Sequence, residues 1–116
     1  MSDFIRNQKE VYKNLKPCFC PVLGEIVYFT AHGINHLMYK RKRLRSVNER
    51  YYRLSLIKYI VPTIKYSKNI GFRESGGVLR CNLSYRIDSN IIKVILEKRH
   101  ANGKYTFLSI MRKRLK

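Results

Sequence analysis

The sequence predicts an α+β fold in which N-terminal helices pack on one face of a three- to four-stranded antiparallel sheet. Three observations predict it. Up to Pro62, apolar residues recur at every third or fourth position, the period of a half-buried helix. From Leu79 to Ile87 the period changes to two, the alternation of a half-buried strand. Asn102-Gly103, a pair that tolerates positive φ at both positions, then marks a hairpin between two further strand-like runs. Helices first and a meander second is the order of an α+β chain rather than of alternating βαβ units.

The elements follow in order. A first helix is predicted over residues 3–16, where Phe4, Ile5, Val11, Tyr12 and Leu15 share a face and Pro17 ends the run. Residues 22–29 read as a strand, rich in Val, Ile, Tyr and Phe. Thr30 is placed to cap a second helix, with Ile34, Leu37 and Met38 as its apolar stripe. The basic run Lys40, Arg41, Lys42, Arg43, Leu44, Arg45 would close that helix, cations suiting the negative end of its dipole. Ser46-Val47-Asn48-Glu49 is a capping box that opens a longer helix, with Val47, Tyr51, Leu54, Ile57 and Val61 on one side and Pro62 as its stop. Gly76-Gly77 is a turn. Strands are then expected over residues 79–87, 91–99 and 105–112, with Asp88-Ser89-Asn90 between the first two. The chain of 116 residues suits one domain. Residues 1–21 form an N-terminal helical extension, 22–112 a core and 113–116 a basic tail.

Charge narrows the function. There are 25 Lys and Arg against 7 Asp and Glu, a net +18. Such self-repulsion destabilises a compact chain unless a polyanion is near. The cations are spread along the chain and interleaved with 9 Tyr and 5 Phe, which points to nucleic acid: cations for phosphates, rings for bases. Cys18, Cys20 and Cys81 are odd in number, and the first two are too close to bridge, which suggests a reduced, cytoplasmic protein. The polar stretch 1–16 is no signal peptide, and no apolar run approaches the roughly 20 residues of a membrane span.

Alternation then sorts the side chains of the meander. Leu79, Cys81, Leu83, Tyr85 and Ile87 would face the helices, and Arg80, Asn82, Ser84 and Arg86 the open side. On the second strand Ile92, Val94 and Leu96 face inward, and Lys93, Glu97 and Arg99 outward. With Leu108 and Ile110 buried, Tyr105, Phe107 and Ser109 of the third strand join the open face. The expected surface is cationic, with hydroxyls and two rings. An ordinary solvated face would carry many of the same residues.

A second constellation lies on the Thr30 helix, where His32, His36, Lys40 and Arg43 follow at spacings of 4, 4 and 3 and so share one stripe. Histidine is the natural acid or base near neutral pH. RNA cleavage by the 2′-hydroxyl needs a base, an acid and cations for the charge at phosphorus, and no metal. Cys18, Cys20, His32 and His36 are the one set that could be read as zinc ligands, but Cys-x-Cys is not the usual zinc spacing. Seven scattered acids argue against a Mg²⁺-dependent nuclease, and no glycine-rich loop implies a nucleotide cofactor.

A strand ending in Phe29-Thr30, then Thr-x-x-Gly-x-x-His (Thr30, Gly33, His36), a helix ending in Pro62, and closing strands with Ser109 in the last resemble the phage-associated branch of the barnase, EndoU, colicin nuclease and RelE-like superfamily. The likeness covers the order of elements over residues 22–112. It implies a metal-independent, toxin-like endoribonuclease whose sheet face holds RNA. It further implies His36 as acid or base, a strand cation among Arg80, Arg86 and Lys93, and Ser109 orienting the phosphate. Catalysis is thus expected at His36, Ser109, Arg86 and Lys93. Binding is expected at His32, Lys40, Arg43, Arg80, Asn82, Ser84, Arg99, Tyr105 and Phe107, with no metal and no cofactor. RNA is the expected partner, with an acidic antitoxin or immunity protein as another and no membrane. A non-catalytic RNA- or DNA-binding module and a basic protein paired with an acidic inhibitor remain the alternatives.

Overall fold

The first helix, α1 (Asp3–Lys13), buries Ile5 and Tyr12 and lays Phe4 on Tyr51, ring centroids 5.0 Å apart, in the computed structural model, which describes residues 3–99 and 103–114. Past Pro17 the chain forms β1 (Cys18–Cys20) and turns back through Gly24, at φ +73°, into β2 (Glu25–Tyr28). The strand expected over 22–29 is therefore the second arm of a short hairpin. α1 and β1 contribute Ile5, Tyr12, Cys18 and Cys20 to the same core as the later elements. The radius of gyration, 13.9 Å, is close to the roughly 13 Å of one compact body of this length.

Helix α2 (Ala31–Met38) starts at Thr30, whose φ and ψ are those of a cap residue. Its hydroxyl makes no capping bond. Instead its carbonyl accepts a 2.6 Å hydrogen bond from the Tyr12 hydroxyl, which ties α1 to the start of α2. The basic run does not extend α2. Tyr39–Lys40 (β3) and Arg43–Leu44 (β4) pair as a small separate hairpin, with Arg41 at φ +51° and Lys42 at φ +67° in its turn. Lys40 and Arg43 thus leave the histidine stripe. Ser46 does cap α3 (Val47–Ser55), its hydroxyl accepting from the Glu49 N–H at 3.2 Å. The long helix expected to Val61 is broken. A 3₁₀ turn (Ile57–Tyr59) intervenes, and α4 (Ile60–Tyr66) restarts with Pro62 in its first turn. A continuous helix would need the missing Pro62 N–H and would drive the ring into the carbonyl of Lys58. In a first turn the N–H has no intrahelical partner to lose.

Four strands complete the chain: β5 (Asn69–Ser75), β6 (Val78–Ile87), β7 (Asn90–Lys98) and β8 (Tyr105–Arg114). The expected sheet of three to four antiparallel strands is overturned. The main sheet has six strands in the order β1-β2-β8-β7-β6-β5. It is mixed, because β2 runs parallel to β8 through Val27↔Tyr105 and Tyr28↔Thr106. At the other edge β5 hydrogen-bonds along β6, across a turn in which Gly76 and Gly77 both have positive φ. Asn102, half of the other expected turn, lies outside the described residues. Lys113 and Arg114, expected in a tail, pair with Ile91 and Asn90, while Leu115 and Lys116 lie outside the described residues.

One face of the sheet buries Cys81, Leu83, Ile92, Val94, Leu96, Phe107 and Ile110 against Leu37, Leu54, Ile57, Ile60 and Ile64 of the helices. The expected alternation fails only on β8. Leu96 pairs with Phe107 but Ile95 pairs with Ser109, so Leu108 is an extra, bulged residue. Phe107 and Ile110 therefore both face the core, and Tyr105 is buried with them, its ring under the Lys98 ammonium. No helix among the described residues is long and apolar enough to cross a membrane.

Gly33 is where α2 meets β8. A Cβ there would lie 2.5 Å from the Tyr12 hydroxyl and 2.7 Å from both the Phe107 ring and its backbone oxygen. We expect Gly33→Ala to lower stability by about 1–3 kcal/mol, the usual cost of forcing atoms into a packed core, despite alanine's better helix propensity. The check is the denaturation midpoint; an unchanged midpoint contradicts the close approach.

Candidate functional site

The parallel strand β2 covers only Tyr105 and Thr106 of the β8 edge. Beyond them the edge would present unpaired backbone groups, and α3 covers it instead. The Tyr52 hydroxyl accepts from the Arg112 N–H at 2.9 Å and donates to the Arg112 carbonyl at 3.2 Å. Arg53 Nη1 donates to the Ser109 hydroxyl at 3.1 Å and reaches the Ile110 carbonyl at 3.5 Å. Helix α2 lies against the same strand. Gly33 and Leu37 form its inward stripe, so His32 and His36, one residue earlier and about 100° round the helix, border the sheet's open side.

The imidazole of His36 is half-buried, and its Nδ1 is buried without a hydrogen-bond partner. Burial lowers its pKa first, and the charges of Arg45, Arg53, His32 and Arg80 lower it further. Two of those cations, Arg45 and Arg53, are held in place. Arg45, itself buried, donates from Nε to the His36 carbonyl at 3.2 Å. Glu49 Oε1 lies 3.5 Å from Arg45 Nη1 and 3.5 Å from Arg53 Nε, one carboxylate steadying two guanidinium groups. Glu97 is only 2% exposed, yet its Oε1 sits 2.7 Å from Arg99 Nε and its Oε2 3.9 Å from His32 Nε2. The site is an imidazole pair framed by Arg53 of α3, Arg45 of the loop before it, Arg80 of β6 and Arg99 just past the end of β7.

Directly opposed residues of an antiparallel sheet share a face, so the register places the remaining candidates. On the open face one row holds Arg73, Arg80, Glu97 and Thr106, and the next holds Asn82, Ile95 and Ser109. Ser84 and Lys93 follow in a third row, and Arg86 in a fourth. Arg80 is among the charges that lower the His36 pKa, and Ser109 is bonded to Arg53, another of them. Lys93 is a row removed from Ser109 and Arg86 two, with the Arg86 Nε donating to the Asp88 carbonyl at 3.3 Å. Ser109 is 1% exposed and its hydroxyl is already engaged by Arg53, so it fixes that arginine rather than meeting a ligand. Tyr105 and Phe107 are core residues and offer no stacking platform: the bulge at Leu108 turned Phe107 inward. Lys40 and Arg43 line, with Arg41 and Tyr52, a groove of about 730 Å³ beside the small hairpin, which meets the His36 site at Arg45 and Glu49.

Arg45, Glu49 and Arg53 are site residues that sequence reasoning missed. Their one legible signal is spacing: each is four residues from the next, the distance of facing side chains on a helix. Cys18, Cys20 and Cys81 are free and buried. Among the described residues no three His, Cys, Asp or Glu side chains converge as metal ligands, so Cys18 and Cys20 do not meet His32 and His36.

No protein-family model matches this chain, and neither the curated proteins nor the solved structures searched contain a match.

The lowered His36 pKa has a consequence for stability. Below the ordinary value of about 6.5 the unfolded chain takes up a proton here that the folded chain refuses. The contribution of neutral His36 is therefore whole above pH 6.5 and is lost as the pH falls through the lowered folded value. Chemical denaturation from about pH 5 to about pH 8 should show a steeper acid-side loss for the wild type than for His36→Asn. Parallel curves would contradict the environment described for this imidazole.

Proposed function

We propose that the protein binds RNA and cleaves it without a metal ion, by attack of the 2′-hydroxyl on the adjacent phosphorus. The observation that carries this reading is His36: a half-buried imidazole with a depressed pKa, held so by burial and by the charges of Arg45, Arg53 and Arg80. Such an imidazole is neutral near pH 7 and is a base rather than an acid. It takes the 2′-hydroxyl proton. The 2′-oxygen then bonds to phosphorus, and the charge that builds on the phosphoryl oxygens is met by Arg53 and Arg80. His32, the more exposed imidazole, gives a proton to the departing 5′-oxygen. The products are a 2′,3′-cyclic phosphate and a free 5′-hydroxyl.

Two roles expected from sequence change in this account. Ser109 acts through Arg53, and Arg86 and Lys93 hold flanking phosphates along the open face. The superfamily resemblance supports the same chemistry through His36 and the final-strand serine, although a helix ending at Pro62 and a sheet of three to four strands are not features of this chain. A protein that only binds nucleic acid would use the same cations, and turnover separates the two. An acidic inhibitor would fit the same cationic surface as RNA.

Purified protein should cleave RNA in excess EDTA and leave DNA of the same sequence intact, because DNA lacks the nucleophile. His36→Ala should slow cleavage by about 10²-fold or more, and Arg53→Ala by about 10²–10³-fold. Intact RNA, or cleavage at an undiminished rate by His36→Ala, ends the enzymatic reading.

A further inference from the structure

At the far edge of the open face two arginines stand directly opposite each other, Arg73 on β5 and Arg80 on β6. Like charges in that relation weaken the strand pairing. Neither guanidinium forms a hydrogen bond or ion pair among the described residues. Glu97 faces Arg80 from β7, but its carboxylate is buried against Arg99. Beside the pair opens a groove of about 480 Å³, lined also by Ser75, Val78, Asn82 and Ile95, with no acidic side chain. That volume lies within the roughly 300–1,000 Å³ of small-ligand pockets, more than a bare phosphate fills.

The lining suits a nucleotide part by part. Paired guanidinium groups offer forked donors to phosphate oxygens. Val78 and Ile95 give an apolar wall for a flat ring. The Asn82 amide carries both donors and an acceptor, as reading a base edge requires. Arg80 is also among the cations that act on His36, so the groove begins where the proposed centre ends.

We propose that this groove holds one nucleotide of the bound strand, its phosphate on Arg73 and Arg80, its base against Val78 and Ile95, and its base edge at Asn82. The inference rests on the cleavage reading only for what lies next door, the scissile phosphate at His36. It adds that the ligand is an oligonucleotide, not a mononucleotide, and that Asn82 sets a base preference at one position.

The test uses the full chain and a 2′-deoxy tetranucleotide, which binds but cannot be cleaved through a 2′-oxygen. Arg73→Glu should weaken its binding about tenfold or more, the scale of losing a charge-assisted contact. The same charge change away from this groove, Lys58→Glu, should alter it by no more than about twofold. Arg73→Glu should also raise the thermal midpoint, because it sets a carboxylate opposite Arg80. Arg73→Gln, which removes the charge without reversing it, should weaken binding in the same sense and serves if the reversal misfolds. Across tetranucleotides of each base, Asn82→Ala should level the affinities. Equal losses in the Arg73 and Lys58 variants, or no loss at Arg73, overturn the proposal. If the wild type leaves RNA intact while the Arg73 variants still lose binding, the groove stands and the cleavage reading alone falls.

Discussion

At Gly33 the backbone of α2 comes so near β8 that even a methyl group would strike the Phe107 carbonyl and the Tyr12 hydroxyl. That contact sets the distance and the rotation of the helix together. With Gly33 and Leu37 turned inward, the geometry of a helix leaves His32 and His36 on the border of the open face. The same Tyr12 hydroxyl donates to the Thr30 carbonyl, so the start of α2 is anchored from α1 as well. A helix anchored from two sides is what an imidazole needs if it is to meet a phosphate without reorganisation.

The arginines around it impose the second constraint. Arg45 and Arg53 are drawn together by Glu49, and Arg80 adds its charge from the sheet. The two carboxylates of the region are both committed, Glu49 to these helix-side guanidinium groups and Glu97 to Arg99. Positive charge is left in excess where the half-buried imidazole of His36 stays neutral. An anion binding there would relieve the repulsion among these guanidinium groups, and a cleft lined by one sign of charge focuses its field on a polyanion.

How much of this was legible follows from which residues see one environment only. Leu79 to Ile87 alternates cleanly because β6 has a helix-covered face and an open one, and the open-face set Arg80, Asn82, Ser84 and Arg86 is the one its alternation predicts. His36 was legible for the same reason: its stripe adjoins an apolar one. Arg41-Lys42 hid a turn, since two long cationic residues at positive φ are held there by context and not by preference. β5 was missed because Gly71 interrupts its pattern and most of its residues are exposed. Arg53 could not be linked to Ser109, 56 positions away, without knowing that α3 covers the β8 edge.

The bulge at Leu108 joins these threads. In an unbroken strand Phe107 and Ser109 would share a face, and Ile110 would take the other. One extra residue lets Phe107 and Ile110 both enter the core while Ser109 lies opposite Ile95 on the open side. The hydroxyl then fixes a guanidinium that Glu49 approaches from the helix side. β8 thus keeps Phe107 and Ile110 in the core and Ser109 on the open side, an assignment that unbroken alternation over these residues could not give. The irregularity that defeated the sequence pattern on β8 is the feature that puts the Ser109 hydroxyl where Arg53 can bond it.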